Sequence, residues 1–380
     1  MASGQISKGK RNVGSSASFQ RNNAPPRLEI PSNALTPSSS APSSLSPSQT
    51  SNGQMLTNEL KTAISASGRI TPQPIENDAS GLQESINYAS GDDPAKINTA
   101  NLEEWEKLGE GAGGTVTKVY DTVKKVVMAK KKINIDPEMH IQLVREVEFI
   151  QRCNSPNIVT YYGAELEDDN SSVSIFMEFC EGGSLDKIYK HVHKRQGRIG
   201  EPILGKIGES VLKGLVYLYE QRIIHRDIKP SNILVTKRGV IKICDFGVSG
   251  KISTELPAST FLGTSYYMAP ERIQGQKYKV SADVWSLGLT IMEVAQNEFP
   301  YPNVAPIELV VHIVSQPAPV LSDEYEWSVE LRDFLRVCLE KDGEKRPTPR
   351  QMLDHPFIQR SASREVPLDR WIKEVWEWDD

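Results

Sequence analysis

Hydrophobic and polar positions divide the chain near residue 100. Up to that point Ser, Pro, Asn, Gln and Gly dominate and aromatics are scarce, and such a segment buries too little apolar surface to offset its ordering entropy. A largely disordered tail is expected over 1–100, with one exception. Leu56, Leu60, Ala63 and Ile64 recur at helical spacing, which predicts a short helix, marginal by itself, that would dock elsewhere. Beyond Leu102 the pattern is that of an ordered domain. Residues 126–133 alternate as a strand, with Val127, Ala129, Lys131 and Ile133 on one face and Val126, Met128, Lys130 and Lys132 on the other. Asp136-Pro137 reads as a cap and first turn, after which Met139, Val144, Val147 and Ile150 continue one helical face. A strand over 174–180 ends in Glu181-Gly182-Gly183-Ser184, a turn and cap that open a helix at Leu185. A helix over 207–219 and short strands over 233–236 and 240–243 follow. Residues 282–295 are apolar nearly all round, predicting a buried helix. Leu368, Trp371, Ile372, Val375 and Trp378 mark a last helix that packs against its own domain or, alternatively, receives a partner.

Composition narrows the class. The chain has 380 residues, 38% of them hydrophobic and 24% charged, enough to bury the core of one large or two moderate domains. A net charge of −5 gives no electrostatic reason to expect nucleic acid. The four cysteines stand singly, without C-x-x-C spacing, which argues against a zinc site or a disulfide framework and for a reduced compartment. Ala2 follows Met1 and no apolar run approaches the roughly 20 residues of a membrane span, so a soluble cytoplasmic protein is expected. In the tail, Thr36-Pro37, Ser46-Pro47 and Thr71-Pro72 are proline-directed phosphorylation sites or the ordinary Ser-Pro content of such a tail. Arg27-Leu28-Glu29-Ile30, with Lys8, Lys10 and Arg11 upstream, has the make-up of a basic-then-aliphatic docking peptide.

The chemistry concentrates in His225-Arg226-Asp227-Ile228-Lys229-Pro230-Ser231-Asn232. Asp227 can accept a hydroxyl proton, Asn232 can hold a metal and Lys229 can screen a phosphate in transfer. The bland alternative is a polar turn ahead of a strand. Upstream, Gly109-Glu110-Gly111-Ala112-Gly113-Gly114-Thr115-Val116 fits G-x-G-x-x-G-x-V, in which glycines let backbone N–H groups approach phosphates. Strand parity and the position two beyond Ala129 select Lys131, leaving Lys130 and Lys132 as solvated lysines. Glu146 on the next helix is placed to pair with Lys131. Backbone groups of Glu178 and Cys180 are placed to meet adenine. Asp245-Phe246-Gly247 supplies a second carboxylate for magnesium eighteen residues after Asp227, and Cys244 beside it reads as an inert buried thiol. Between Gly247 and Ala269-Pro270-Glu271 lie Ser253, Thr254, Ser259, Thr260 and Thr264. A phosphate there adds roughly −1.5 to −2 charges, for which Arg226 is a partner, while Thr264 is placed to bond Asp227 and Lys229. Glu271 is placed to pair with Arg346, and Asp283 to hold the catalytic loop's backbone.

With seven motifs in order, residues 103–358 resemble a eukaryotic protein kinase. The resemblance implies an α+β, two-lobed fold with a small sheet and one helix (about 103–180) over a helical lobe (about 181–358), and ATP between them. It also implies nucleotide contacts at residues 109–114, Val116, Ala129, Lys131, Met177, Glu178 and Cys180. Met128-Ala129-Lys130-Lys131, Cys153-Asn154-Ser155-Pro156, Gly247-Val248-Ser249-Gly250 and residues 263–272 are similar to MAP kinase kinases, and the long polar tail to their fungal cell-wall-integrity branch. That family phosphorylates Thr and Tyr of a MAP kinase activation loop. Implied partners are the downstream MAP kinase, an upstream MAP kinase kinase kinase and a scaffold protein, with docking elements in 1–100 and 359–380. Activation would rest on Thr260 with Thr254, the upstream choice between Thr254 and Ser253 left open and Ser259 a further candidate, because the position four before Thr260 is Leu256. The alternatives are a general serine/threonine kinase and a pseudokinase scaffold; the latter would lack Lys131, Asp227 or Asp245, and all three are present.

Overall fold

The computed structural model describes residues 59, 61–64, 97–111, 114–135, 140–167, 171–245 and 265–379, with backbone alone at 140–142, 145–146 and 265. The tail's Ser/Thr-Pro pairs and its basic-aliphatic segment lie outside the described residues.

A five-stranded antiparallel sheet forms the first lobe, in the order β1 (Leu102–Gly111), β2 (Gly114–Asp121), β3 (Val126–Asn134), β5 (Ser172–Glu178), β4 (Tyr161–Glu167). One helix, α1 (His140–Arg152), crosses it. Leu143 and Val147 of α1 pack on Ile133, Tyr161, Val173 and Ile175 on one face, and Val119, Met128 and Phe176 cover the other. Both faces of β3 are therefore covered, which alternation by itself did not foretell. Lys130 also departs from the solvated reading. Its ammonium lies 2.9 Å from both Glu104 and Glu167, with the side chain only 14% exposed. The tail helix docks as its spacing predicts: residues 59 and 61–64 are helical, Ala63 is buried, and Gln151 Nε2 of α1 donates to the Ala63 carbonyl at 2.9 Å.

The second lobe is helical, built on α2 (Leu185–Lys194), α3 (Glu201–Glu220), α4 (Pro270–Ile273), α5 (Ser281–Gln296), α6 (Pro306–Ser315), α7 (Val329–Cys338), α8 (Pro349–Leu353), α9 (Pro356–Ala362) and α10 (Leu368–Trp376). α5 is buried from Ser281 to Ala295, as a helix apolar all round must be. Leu204, Ile207, Val211, Leu212, Leu215 and Leu218 of α3 join it in one core. α3 begins six residues before the apolar spacing predicts, at Glu201 with Pro202 in its first turn. A small antiparallel sheet, β6 (Gly183–Ser184), β7 (Ile233–Val235) and β8 (Ile241–Ile243), lines the cleft side.

The lobes share a welded joint. Ile158 forms a parallel bridge to Ile243, Val159 N–H donates to the Ile243 carbonyl at 3.0 Å, and Ile243 N–H donates to Asn157 at 2.9 Å. Glu178, at the end of β5, accepts from Thr160 N–H (3.1 Å) and pairs with Lys242 of β8 (2.9 Å). Among the described residues no helix is long and apolar enough to cross a membrane.

Candidate active site

The loop at 225–232 is held from below by α5. Asp283 is buried, and its two carboxylate oxygens accept the backbone N–H groups of His225 and Arg226, each at 2.8 Å. Asp227 N–H donates to His225 Nδ1 at 3.3 Å, which makes Nε2 the protonated nitrogen, donating to the Cys244 carbonyl at 3.0 Å. Burial pushes the His225 pKa below its ordinary value, against the pull of Asp283, and pushes Asp283 above its own. Arg226 has φ of 71°, a left-handed conformation rare for a side chain of its size and typical of functional loops. Its carbonyl is fixed by Arg272 Nη1 at 2.7 Å.

This scaffold leaves Asp227 in a defined state. Its Oδ2 accepts from Asn232 Nδ2 and Lys229 Nζ, both at 2.8 Å, and its backbone carbonyl accepts from Asn232 at 2.9 Å. Oδ1 is buried and has no hydrogen-bond partner among the described residues. A buried carboxylate oxygen without a donor is costly, and a substrate hydroxyl would satisfy it. Because Asn232 turns its amide toward Asp227, its carbonyl oxygen is the atom left to face a cation. Together with Asp245 it supplies the hard oxygen donors a divalent cation of the magnesium type prefers. Among the described residues no group of three or more His, Cys, Asp or Glu converges, so any such ion would rely on Asn232, Asp245 and oxygens of the nucleotide.

Lys131 is buried, and its ammonium lies 2.6 Å from Asp245 Oδ1. The Glu146 side chain lies outside the described residues, so the expected Lys131–Glu146 pair is not in view; the ion pair with Asp245 bridges β3 to the residue after Cys244. Asp245 is itself left-handed, with φ of 58°. Val159, Ile175, Met177 and Cys244 line an apolar recess bordered by the Lys131–Asp245 pair. Burial holds the Cys244 thiol well above its ordinary pKa and moves those of Cys180 and Cys153 to about 12, so all three are protonated and unreactive.

The glycine-rich turn joins β1 to β2, pairing Gly109 with Val116 and Gly111 with Gly114. A Cβ on Gly109 or Gly111 would meet nothing within 4 Å, so the sheet does not require glycine at either position. Open space beside bare backbone fits the approach of phosphates. Gly114 is different: its φ is +107° and a Cβ would lie 2.0 Å from the Lys132 carbonyl. Ala112 and Gly113 lie outside the described residues. Where adenine contacts are expected, Ala129 pairs with Met177 and Met128 with Glu178. The Cys180 carbonyl accepts from Gly183 N–H at 3.0 Å, while the Cys180 amide has no backbone partner among the described residues, a donor for an adenine ring edge.

The segment with Ser253, Thr254, Ser259, Thr260 and Thr264 lies outside the described residues. Beyond it Glu271 and Arg346 form the expected pair, bidentate at 2.7 and 3.1 Å and buried. Arg346 also donates to the Glu340 and Ser281 carbonyls. Three contributors are invisible to motif reading: Arg272, Lys242 and Trp376 of α10, whose indole N–H donates to the Gly182 carbonyl at 3.0 Å. A buried arginine or a lysine in an otherwise apolar strand is the only sequence signal the first two give.

Comparison with known proteins agrees with this geometry. The protein kinase domain family matches residues 102–358. A mitogen-activated protein kinase kinase MKK2 of Pyricularia oryzae is 51% identical over 72% of this chain and 54% of its own length. MAP kinase kinase skh1/pek1 of Schizosaccharomyces pombe is 48% identical over 71% of this chain and 76% of its own. Dual specificity mitogen-activated protein kinase kinase dSOR1 of Drosophila melanogaster is 42% identical over 73% and 76%. The chain spans a little over half the length of several of the fungal relatives it matches. An ordered cleft with Lys131, Asp227, Asn232 and Asp245 around it, and a sequence shared at this level across the whole domain, place the chain in the MAP kinase kinase family of protein kinases.

Proposed function

We propose that this chain is a dual-specificity MAP kinase kinase that moves the γ-phosphoryl group of ATP, with magnesium, to a threonine and a tyrosine of a MAP kinase activation loop. The single observation that carries the catalytic part is Asp227 Oδ1, buried and without a donor among the described residues, beside Lys229 and Asn232. Asp227 orients the substrate hydroxyl and takes its proton, a role worth about 10²–10⁴-fold in rate. Lys229 and Lys131 neutralise charge on the transferring phosphoryl group. Asn232 and Asp245 would hold the metal, which supplies charge neutralisation across the phosphates. The bare backbone at Gly109 and Gly111 covers the nucleotide, with Glu110, Val116, Ala129, Met177, Glu178 and Cys180 around it, and Glu146 steadies Lys131.

Phosphorylation of Thr260 together with Thr254 or Ser253, by an upstream kinase, switches the enzyme on, with Arg226 receiving the charge. Dual specificity is supported by the dSOR1 relative. Similarity to the fungal MKK1 and MKK2 proteins supports a cytoplasmic relay of the cell-wall-integrity type, with docking elements in 1–100 and 359–380.

The test is phosphosite mapping on a catalytically dead MAP kinase incubated with this chain, ATP and magnesium, using acidic substitutions at Thr254 and Thr260 and an Asp227→Asn control. Phosphate on both threonine and tyrosine, lost in the control, is expected. Threonine alone would make the chain a general serine/threonine kinase, and no phosphate on any substrate would make it a scaffold.

A further inference from the structure

The connector between the lobes, which the nucleotide reading assigns to adenine, is fastened at its far end by the last helix of the chain. Ile372 of α10 is fully buried, and a Cβ on Gly182 would come within 2.9 Å of its Cγ1 and 2.6 Å of the Val235 carbonyl. Only a glycine lets the connector lie flat on that helix and on β7. Trp376, one turn on, donates its indole N–H to the Gly182 carbonyl at 3.0 Å, and its ring lies against His191 of α2 with centroids 4.6 Å apart.

The same helix reaches the hairpin between the two metal-side residues. In the β7–β8 turn a Cβ on Gly239 would lie 2.5 Å from the backbone of Leu368 and Asp369. Lys237 N–H of that turn donates to Glu181 of the connector at 3.1 Å, and the Lys237 ammonium stands over the Trp378 ring at 6.0 Å. β7 starts directly after Asn232, and β8 ends two residues before Asp245. One helix thus grips the strand pair spanning Asn232 and Asp245 and, through Ile372 packing and the Trp376 indole hydrogen bond, the end of the adenine connector.

We infer that Trp376 is a positioning residue for nucleotide binding: its hydrogen bond to Gly182 fixes where the adenine connector stands relative to the Asn232–Asp245 hairpin. The inference rests on the nucleotide reading of the connector. An indole N–H bonded to a carbonyl is a neutral hydrogen bond, and Trp376→Phe removes it while keeping an aromatic ring against His191.

The experiment uses the full chain. Calorimetric titration with magnesium ADP should show affinity weakened about three- to tenfold in Trp376→Phe, the range one neutral hydrogen bond spans. The KM for ATP should rise in parallel while kcat stays near the wild-type value, and the amide of Gly183 should exchange faster. ADP affinity and Gly183 exchange equal to wild type would overturn the inference, and so would a parallel fall of affinity, kcat and thermal midpoint, which marks general destabilisation. A second measurement needs no variant. Because coupling between sites is reciprocal, ADP should slow amide exchange across residues 368–378 of the wild-type chain, and absence of that protection also counts against the inference. Wild-type protein that bound no ADP would overturn the nucleotide reading itself, a separate result.

Discussion

The loop that carries Asp227 and the strand that carries Lys131 face one cleft, yet they are held in opposite ways. The loop is fixed from several directions at once: Asp283 takes two of its backbone amides, Arg272 one of its carbonyls, and the His225 ring bonds both Asp227 N–H and the Cys244 carbonyl. Lys131 sits in a regular strand, and its ammonium is aimed by an ion pair to Asp245, whose side chain is 36% exposed and whose backbone is left-handed. The proposed base is built into the helical lobe, whereas the proposed phosphate lysine is joined across the cleft to Asp245, the last described residue before the segment with the proposed activation sites. A proton acceptor has to be in place before substrate arrives; a charge clamp can be assembled when nucleotide does.

The sharpest way to break this contrast is at Asp283. Asp283→Ala leaves two buried backbone N–H groups without acceptors, which should cost about 2–5 kcal/mol of stability. Urea unfolding is expected to show the loss together with abolished phosphoryl transfer. A fully stable but inactive variant would mean that the loop is held by something other than α5.

A smaller effect is expected on the strand side. A double-mutant cycle with Lys131→Met and Asp245→Asn, read as unfolding free energy without nucleotide, should give a coupling of only about 0.5–1 kcal/mol, as for other partly exposed pairs. A coupling as large as the Asp283 loss would erase the distinction.

The last is a pH effect. His225 has a folded pKa below its ordinary 6.5, so as pH falls the unfolded chain takes up this proton first. Its contribution to stability is whole above about pH 6.5 and declines as pH falls toward the depressed folded value, by at most about 1.4 kcal/mol per pH unit. Urea midpoints followed from about pH 7.5 to 5.5 should fall more steeply for wild type than for His225→Gln.

What could be read from the sequence follows the same division. Asp227 and Asn232 are legible because they belong to one short motif whose geometry the local chain dictates, while the long-range partners of Asp283 and the Glu271–Arg346 pair are legible only through the resemblance to protein kinases. Lys131 is legible by strand parity, a local property too. The burial of Lys130 is not, because its partners Glu104 and Glu167 stand on β1 and β4, and cross-strand registers are not written in either segment. Lys242 with Glu178 and Trp376 with Gly182 are hidden for the same reason: each joins residues far apart in sequence, 64 positions in the first case and 194 in the second. The tail helix was visible as a pattern at Leu56, Leu60, Ala63 and Ile64, but the seat of Ala63 on Gln151 was not.

The glycine-rich turn carries a last consequence, for the reading of natural variation. Its glycines look equivalent in the sequence, yet the space around them sorts them into two genetic classes. An inherited change at Gly114 strikes the Lys132 carbonyl and should act as an allele of low abundance, with little protein left to signal. A change to alanine at Gly109 or Gly111 meets no atom within 4 Å and should leave a full complement of protein that handles nucleotide poorly. Such an abundant, inactive copy still occupies partners, so alleles of the second class are the ones expected to behave as dominant.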